Sequence, residues 1–163
     1  MMGEVKDLYC KEDVETLKYL VEEIKICMFC NNLTTIPVNS RPMSVHQVDN
    51  EGNIWFISSK ESNKNFEIDK DNNVQLFFTS MEDSHYLSVF GQVVIYKEKE
   101  QIDTIWGPIS NAWFEESLND SSVIIIKVVP NNVYYWDSNE NKITLKINAT
   151  SSNNQSIKEY ANA

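Results

Sequence analysis

The chain has 163 residues, enough for one domain with a sizeable core. Its 24 Asp and Glu against 14 Lys and Arg give a formal net charge of -10, which opposes nonspecific binding to nucleic acid and to anionic membranes. Apolar runs such as Val123-Ile124-Ile125-Ile126 fall far short of the roughly 20 residues that span a bilayer, and MMGEVKDLYCKED lacks the regions of a secretory signal. The expected compartment is the cytoplasm, where three cysteines, an odd number, fit reduced thiols better than a disulfide framework.

From Glu12 to about Lys25, apolar residues recur at Val14, Leu17, Val21 and Ile24, the spacing of an amphipathic helix. Short β-rich runs follow at Ile26–Cys30, Arg41–Val48, Ile54–Ile57, Val74–Thr79, Tyr86–Tyr96, Val123–Val129 and Ile143–Ile147. Seven strands in one small domain predict a mainly β architecture with peripheral helices, either a barrel or a sandwich. Asp49-Asn50-Glu51-Gly52-Asn53 predicts a hairpin turn, because Gly and Asn tolerate positive φ, so the second and third strands should pair antiparallel. Between Ser62 and Lys70, Phe66 and Ile68 flank a charged stretch expected to form a short helix that Asp71-Asn72-Asn73 ends. Lys97–Trp106 is a further helical segment, with Ile102 and Ile105 on one side, stopped by Gly107-Pro108. Beyond Ile147 the chain turns polar and aperiodic, so residues 1–147 are expected to form a single domain and 148–163 a flexible tail.

Cys27-Met28-Phe29-Cys30 contains a CxxC, but residues three apart on a strand point to opposite faces and can share neither a metal nor a disulfide. There is no second CxxC to supply the four ligands of a zinc site, so the thiols are expected to be structural. His46 and His85 stand apart, with no Ser or Cys nearby in a nucleophile setting, and no triad is indicated. Trp55 is expected in the core. Trp106 and Trp113, beside Gly107-Pro108 and Phe114, sit in a loop context where aromatics also wall ligand sites, so core packing and ligand contact both stay open for them.

The stretch Ser58-Ser59-Lys60-Glu61-Ser62-Asn63-Lys64 lies where a strand ends and a helix is expected to begin, a place where N–H groups and the helix dipole favour an anion. By itself it equally describes a turn with a helix cap. Arg41, the only arginine in the chain, shifts the balance. It opens the strand that the Asp49–Asn53 hairpin should pair with the strand ending in Ser58, which would set it beside the serines. A guanidinium, hydroxyls and a lysine at a helix start can hold a phosphate monoester.

The segment SRPMSVHQVDNEGNIWFISSKESNKNFEI resembles the flavin-binding core of the pyridoxamine 5'-phosphate oxidase-like split barrels, in the general stress protein 26 branch. The matching pieces are Ser40-Arg41-Pro42-Met43, Gly52, Trp55-Phe56 and Ser62-Asn63-Lys64, then Gly91, Trp106-Gly107-Pro108, Trp113-Phe114, Lys127-Val128-Val129-Pro130 and Tyr135-Trp136-Asp137. The resemblance spans roughly residues 12 to 137. It implies a split β-barrel homodimer that binds FMN, with FAD as the alternative, in clefts between subunits. Carried over by position, it assigns Arg41, Ser62 and Lys64 to the phosphate, Met43 and Ser44 to the flavin flank, and Ser58 and Ser59 to the ribityl chain or ring edge. Trp106 and Trp113 are assigned as contributors from the neighbouring subunit. Lys60 and Glu61 are left facing solvent.

Two departures narrow the activity. The family's Gly and Pro-containing loop after the Trp-Phe pair is replaced by Glu115-Glu116-Ser117-Leu118-Asn119-Asp120. The arginine and histidine pair that true pyridoxamine phosphate oxidases place on substrate is missing, since no Arg follows Arg41 and no His follows His85. The expectation is therefore an FMN-dependent oxidoreductase on a small molecule other than a B6 vitamer. A noncatalytic flavin carrier or sensor, and a haem-binding barrel using His46 or His85, are the alternatives.

Overall fold

The computed structural model describes residues 11–63, 71–106, 123–139 and 141–147, and of residues 62, 63 and 106 the backbone alone. Helix α1 (Lys11–Ile24) buries Val14, Leu17, Leu20 and Val21 on one face and carries Glu12 and Asp13 in its first turn, where they complement the helix dipole. The helix ends as Lys25 enters the left-handed region (φ 71°) and its N–H donates to Val21 O at 2.7 Å.

Among the described residues eight strands follow: β1 (Ile26–Asn31), β2 (Asn39–Ser44), β3 (Gln47–Val48), β4 (Ile54–Ser59), β5 (Asn73–Ser80), β6 (His85–Tyr96), β7 (Val123–Trp136) and β8 (Lys142–Leu145). Helix α2 (Lys60–Asn63) continues from β4, and α3 (Lys99–Trp106) follows β6. The strands form one antiparallel sheet in the order β2-β1-β5-β6-β7-β4-β3, with β8 also on β7.

The expected strand Arg41–Val48 is two strands, and the break decides between barrel and sandwich. Val45 N–H donates to Lys25 O and His46 N–H to Trp55 O, each at 2.7 Å, so consecutive residues bond to opposite neighbours. One side extends the β1–β2 ladder and the other the β3–β4 ladder. The first and last strands of the sheet are thus successive pieces of one segment, and the sheet curls onto itself as a split barrel.

The expected strand ending at Val129 runs on to Trp136 through Pro130. Proline lacks a ladder N–H, but it sits opposite Gly91, where the β6–β7 register slips. A Cβ on Gly91 would stand 2.2 Å from Val129 O, so only glycine allows the strands to meet there.

The main core lines the inside of the curl, where Phe29 of β1 meets Phe56 of β4 edge to face, 5.5 Å between centroids. A second cluster forms outside it, where Ile102 of α3 packs with Trp55, Val123 and Ile125. Helix α1 covers one end of the barrel through Gly52, whose position would touch Val14 and Ile147 if a Cβ were present. The expected tail and most of the expected Ser62–Lys70 helix lie outside the described residues.

Candidate functional site at the barrel end opposite helix α1

Successive antiparallel pairings from β1 through β5, β6 and β7 to β4 leave β1 and β4 pointing the same way. Their C-terminal residues, Asn31 on one and Ser58 and Ser59 on the other, therefore share a barrel end with the start of β2. Register fixes which side chains point inward. Arg41 lies opposite Phe29 and Met43 opposite Cys27, both core residues, so Arg41 and Met43 face the interior while Pro42 and Ser44 face out. Met43 is buried in the core and Ser44 is exposed. Ser58 is the next inward position after Phe56, whereas Ser59 faces out, and both are half-buried.

The expected route to this neighbourhood is not the one that forms. Arg41 was to reach the serines through an unbroken hairpin ladder with β4, yet it pairs with Phe29 of β1 because the strand breaks at Val45 and His46. Barrel curvature supplies the link instead: Arg41 stands opposite Phe29, Phe29 contacts Phe56, and Ser58 follows on the same face. The helix after the serines also starts earlier than expected, at Lys60, so Ser62 falls inside α2 and Ser59 immediately precedes it. Lys60 and Glu61 are exposed. Lys64 and Trp113 lie outside the described residues, and for Ser62 and Trp106 the structure gives only backbone positions in α2 and at the end of α3.

Electrostatics marks Arg41 out. Partial burial lowers the guanidinium pKa from its usual value without threatening its charge at neutral pH. His46, half-buried at the strand break, is held below the ordinary imidazole range by desolvation, which favours its neutral form. Burial pushes the Cys27 thiol up to about 12, with nearby Cys30 adding to the effect. Cys27 sits in the core and Cys30 on the outward side of the same strand, so both are free and inert, as their spacing predicts.

Sequence reasoning missed two polar residues here. Asn31 and Asn39 lie directly opposite each other on the inward face, and Asn31 is fully buried. Ending the expected strand at Cys30, one residue before β1 ends, left Asn31 outside it. The alternation Cys27, Phe29, Asn31 was the only signal for it.

The outward face of the sheet exposes a different chemistry. Met28 and Phe77 lie opposite each other on β1 and β5, both more than 40% exposed, with Ile26 and Tyr86 also exposed nearby. Lys142 Nζ stands 4.2 Å from the Tyr134 ring centroid and 5.8 Å from that of Trp136.

Comparison with known proteins fits this architecture. Residues 12–159 match the family profile described as pyridoxamine 5'-phosphate oxidase like. A Clostridium acetobutylicum protein related to general stress protein 26 superposes with a TM-score of 0.65 at 18% identity, over 85% of this chain and 96% of its own. General stress protein 26 of Bacillus anthracis gives 0.58 at 18% identity, over 83% and 98%. The general stress FMN/FAD binding protein of Xanthomonas citri gives 0.58 at 21% identity, over 78% and 90%. No curated protein sequence matches significantly.

Proposed function

Because the chain belongs to the pyridoxamine 5'-phosphate oxidase-like family, we propose that it is an FMN-binding homodimer acting as a flavin-dependent oxidoreductase on a small molecule. The observation that carries the reading is the placement of the sole arginine: half-buried, inward-facing, and at the barrel end shared with Ser58 and opposite α1. A charged, planar guanidinium held inward at a partly desolvated position suits a bidentate grip on phosphate oxygens.

The donor set fits the phosphate end of a flavin nucleotide. Arg41 would donate two N–H groups to the phosphate, with Ser62 and Lys64 completing the grip. Met43 and Ser44 would flank the ring, and Ser58 and Ser59 would donate hydroxyls to the ribityl chain or ring edge. Trp106 and Trp113 would close the cleft from the neighbouring subunit. Bound flavin supplies the electron or hydride chemistry. The chain's own part is to orient the nucleotide, exclude water from it and set the charge around it. Support for the dimer comes from the outward patch of Ile26, Met28, Phe77 and Tyr86, an exposed apolar surface of the kind that a second copy covers. A monomer in sedimentation equilibrium at micromolar concentration would retire that part.

The visible spectrum of the purified protein, with FMN and riboflavin titrations, tests the reading. We expect a flavin spectrum and a preference for FMN over riboflavin. Arg41→Ala should erase most of that preference, a loss of roughly 10- to 100-fold in FMN affinity for a charge-assisted bond. A protein that binds neither flavin, or shows a Soret band instead, overturns it. Reduction of the bound flavin by NADH or NADPH separates a reductase from a carrier or sensor, for which the flavin stays oxidised with both. HPLC of the released cofactor separates FMN from FAD.

A further inference from the structure

Among the described residues, Asn31 stands at this barrel end with surroundings that conflict with its chemistry. It is fully buried, and both its carboxamide atoms, Nδ2 and Oδ1, have no hydrogen-bond partner among the described residues. Buried amides are nearly always satisfied, and an orphan with room for a small polar guest is the usual seat of an internal water. An apolar residue of the same shape would avoid the cost altogether, so the amide needs a use.

Its position suggests one. Asn31 and Arg41 share the inward face of adjacent antiparallel strands as diagonal neighbours: Asn31 lies opposite Asn39 and Phe29 opposite Arg41, with the outward pair Cys30 and Ser40 between. Such diagonal neighbours have Cβ atoms about 7 Å apart, within reach of a long side chain and a single bridging water. The donor count agrees, because a guanidinium only donates while Asn31 Oδ1 accepts.

We propose that Asn31 is a positioning residue that holds the Arg41 guanidinium in its phosphate-gripping orientation through one internal water. The water accepts from an Arg41 N–H and donates to Asn31 Oδ1. Arg41 approaches the anion pre-oriented, so less rotamer freedom is lost on binding. This inference rests on the flavin phosphate reading above.

The test uses the full chain with Asn31→Leu, which keeps the volume and removes the polarity, and with Asn31→Val, which also removes the acceptor but is smaller and β-branched, suited to a strand, and so guards against misfolding of the first. FMN and riboflavin titrations are run on each beside the wild type, with thermal melts. We expect both variants to fold and to bind riboflavin within about twofold of wild type, while the preference for FMN falls about tenfold, the size of one lost oriented charge-assisted contact. Unchanged FMN preference, with or without a raised melting temperature in Asn31→Leu, overturns the inference and leaves Asn31 an orphan. Equal loss of both flavins overturns it too, since that marks a structural role. A wild-type protein that binds neither flavin brings down the flavin reading first, and this inference with it.

Discussion

The two ends of the barrel are built on opposite principles. At one end α1 lays Val14, Leu17, Leu20 and Val21 against the core, and backbone loose ends are tied to it: Asp13 accepts the Lys146 N–H at 2.8 Å and Glu22 the Val48 N–H at 3.3 Å. Gly52 turns there at φ 89°, tight under Ile147. At the other end the inward positions among the described residues include Asn31, Asn39, Arg41 and Ser58, and the fully buried Asn31 amide has no partner among them. Apolar burial accumulates at the first end, while the second gathers polar side chains on its inward face, where an unpartnered amide costs free energy. The contrast agrees with the proposed placement of the flavin phosphate at the second end. It also says that stability and binding should be separable by mutation.

Leu17→Ala should show the largest effect. Leu17 is fully buried in α1, and its truncation should cost about 2–5 kcal/mol in urea denaturation. The ratio of FMN to riboflavin affinity should not move, and a shift in that ratio would mean that the two ends are coupled. Gly52→Ala comes next, at roughly 1–3 kcal/mol. The new Cβ would lie 2.3 Å from Cγ2 of the fully buried Ile147 while holding positive φ. A neutral result would show that the α1 end repacks more freely than its geometry implies.

The smallest effect belongs to the middle of the barrel. The Cys27 thiol is raised from an ordinary 9.0 to about 12 by burial. A folded-state pKa above the unfolded one contributes stability that is full below pH 9 and lost as pH rises towards 12. Wild type should therefore lose more stability than Cys27→Ala between pH 8 and pH 10.5. Parallel losses in the two proteins would show the thiol to be better solvated than it looks.

The elements differed in how legible they were. Helix α1 was plain because its apolar spacing and its burial coincide. Strands β5 and β6 came within one residue of their ends because alternation along them is regular. The Asp49–Asn53 turn carried its own code: Asp49 Oδ1 accepts the N–H groups of Glu51 and Asn53 at 2.9 Å, and Gly52 supplies the positive φ. The same code recurs unforeseen at Asp137, which accepts from Asn139 and Asn141 at 2.9 Å between β7 and β8. The sequence carries no glycine there, and the expected strands left the turn unmarked. Pro130 misled because a proline ordinarily ends a strand, and only the slip opposite Gly91 makes room for it.

From residues alone came the mainly β class, the helix that precedes the strands, the hairpin turn, the inert thiols and the singling out of Arg41. These rest on periodicities of 3.6 and 2 and on residue types, which are local properties. Tertiary structure alone decided that Arg41–Val48 splits between two partners, that the sheet therefore closes into a barrel, and that Asn31 lies buried beside Arg41 on its inner wall. Those depend on which strand satisfies each backbone group: Val45 donates to Lys25 beside β1, while its neighbour His46 donates to Trp55 of β4. No local pattern encodes a choice between acceptors that only the curled sheet brings within reach.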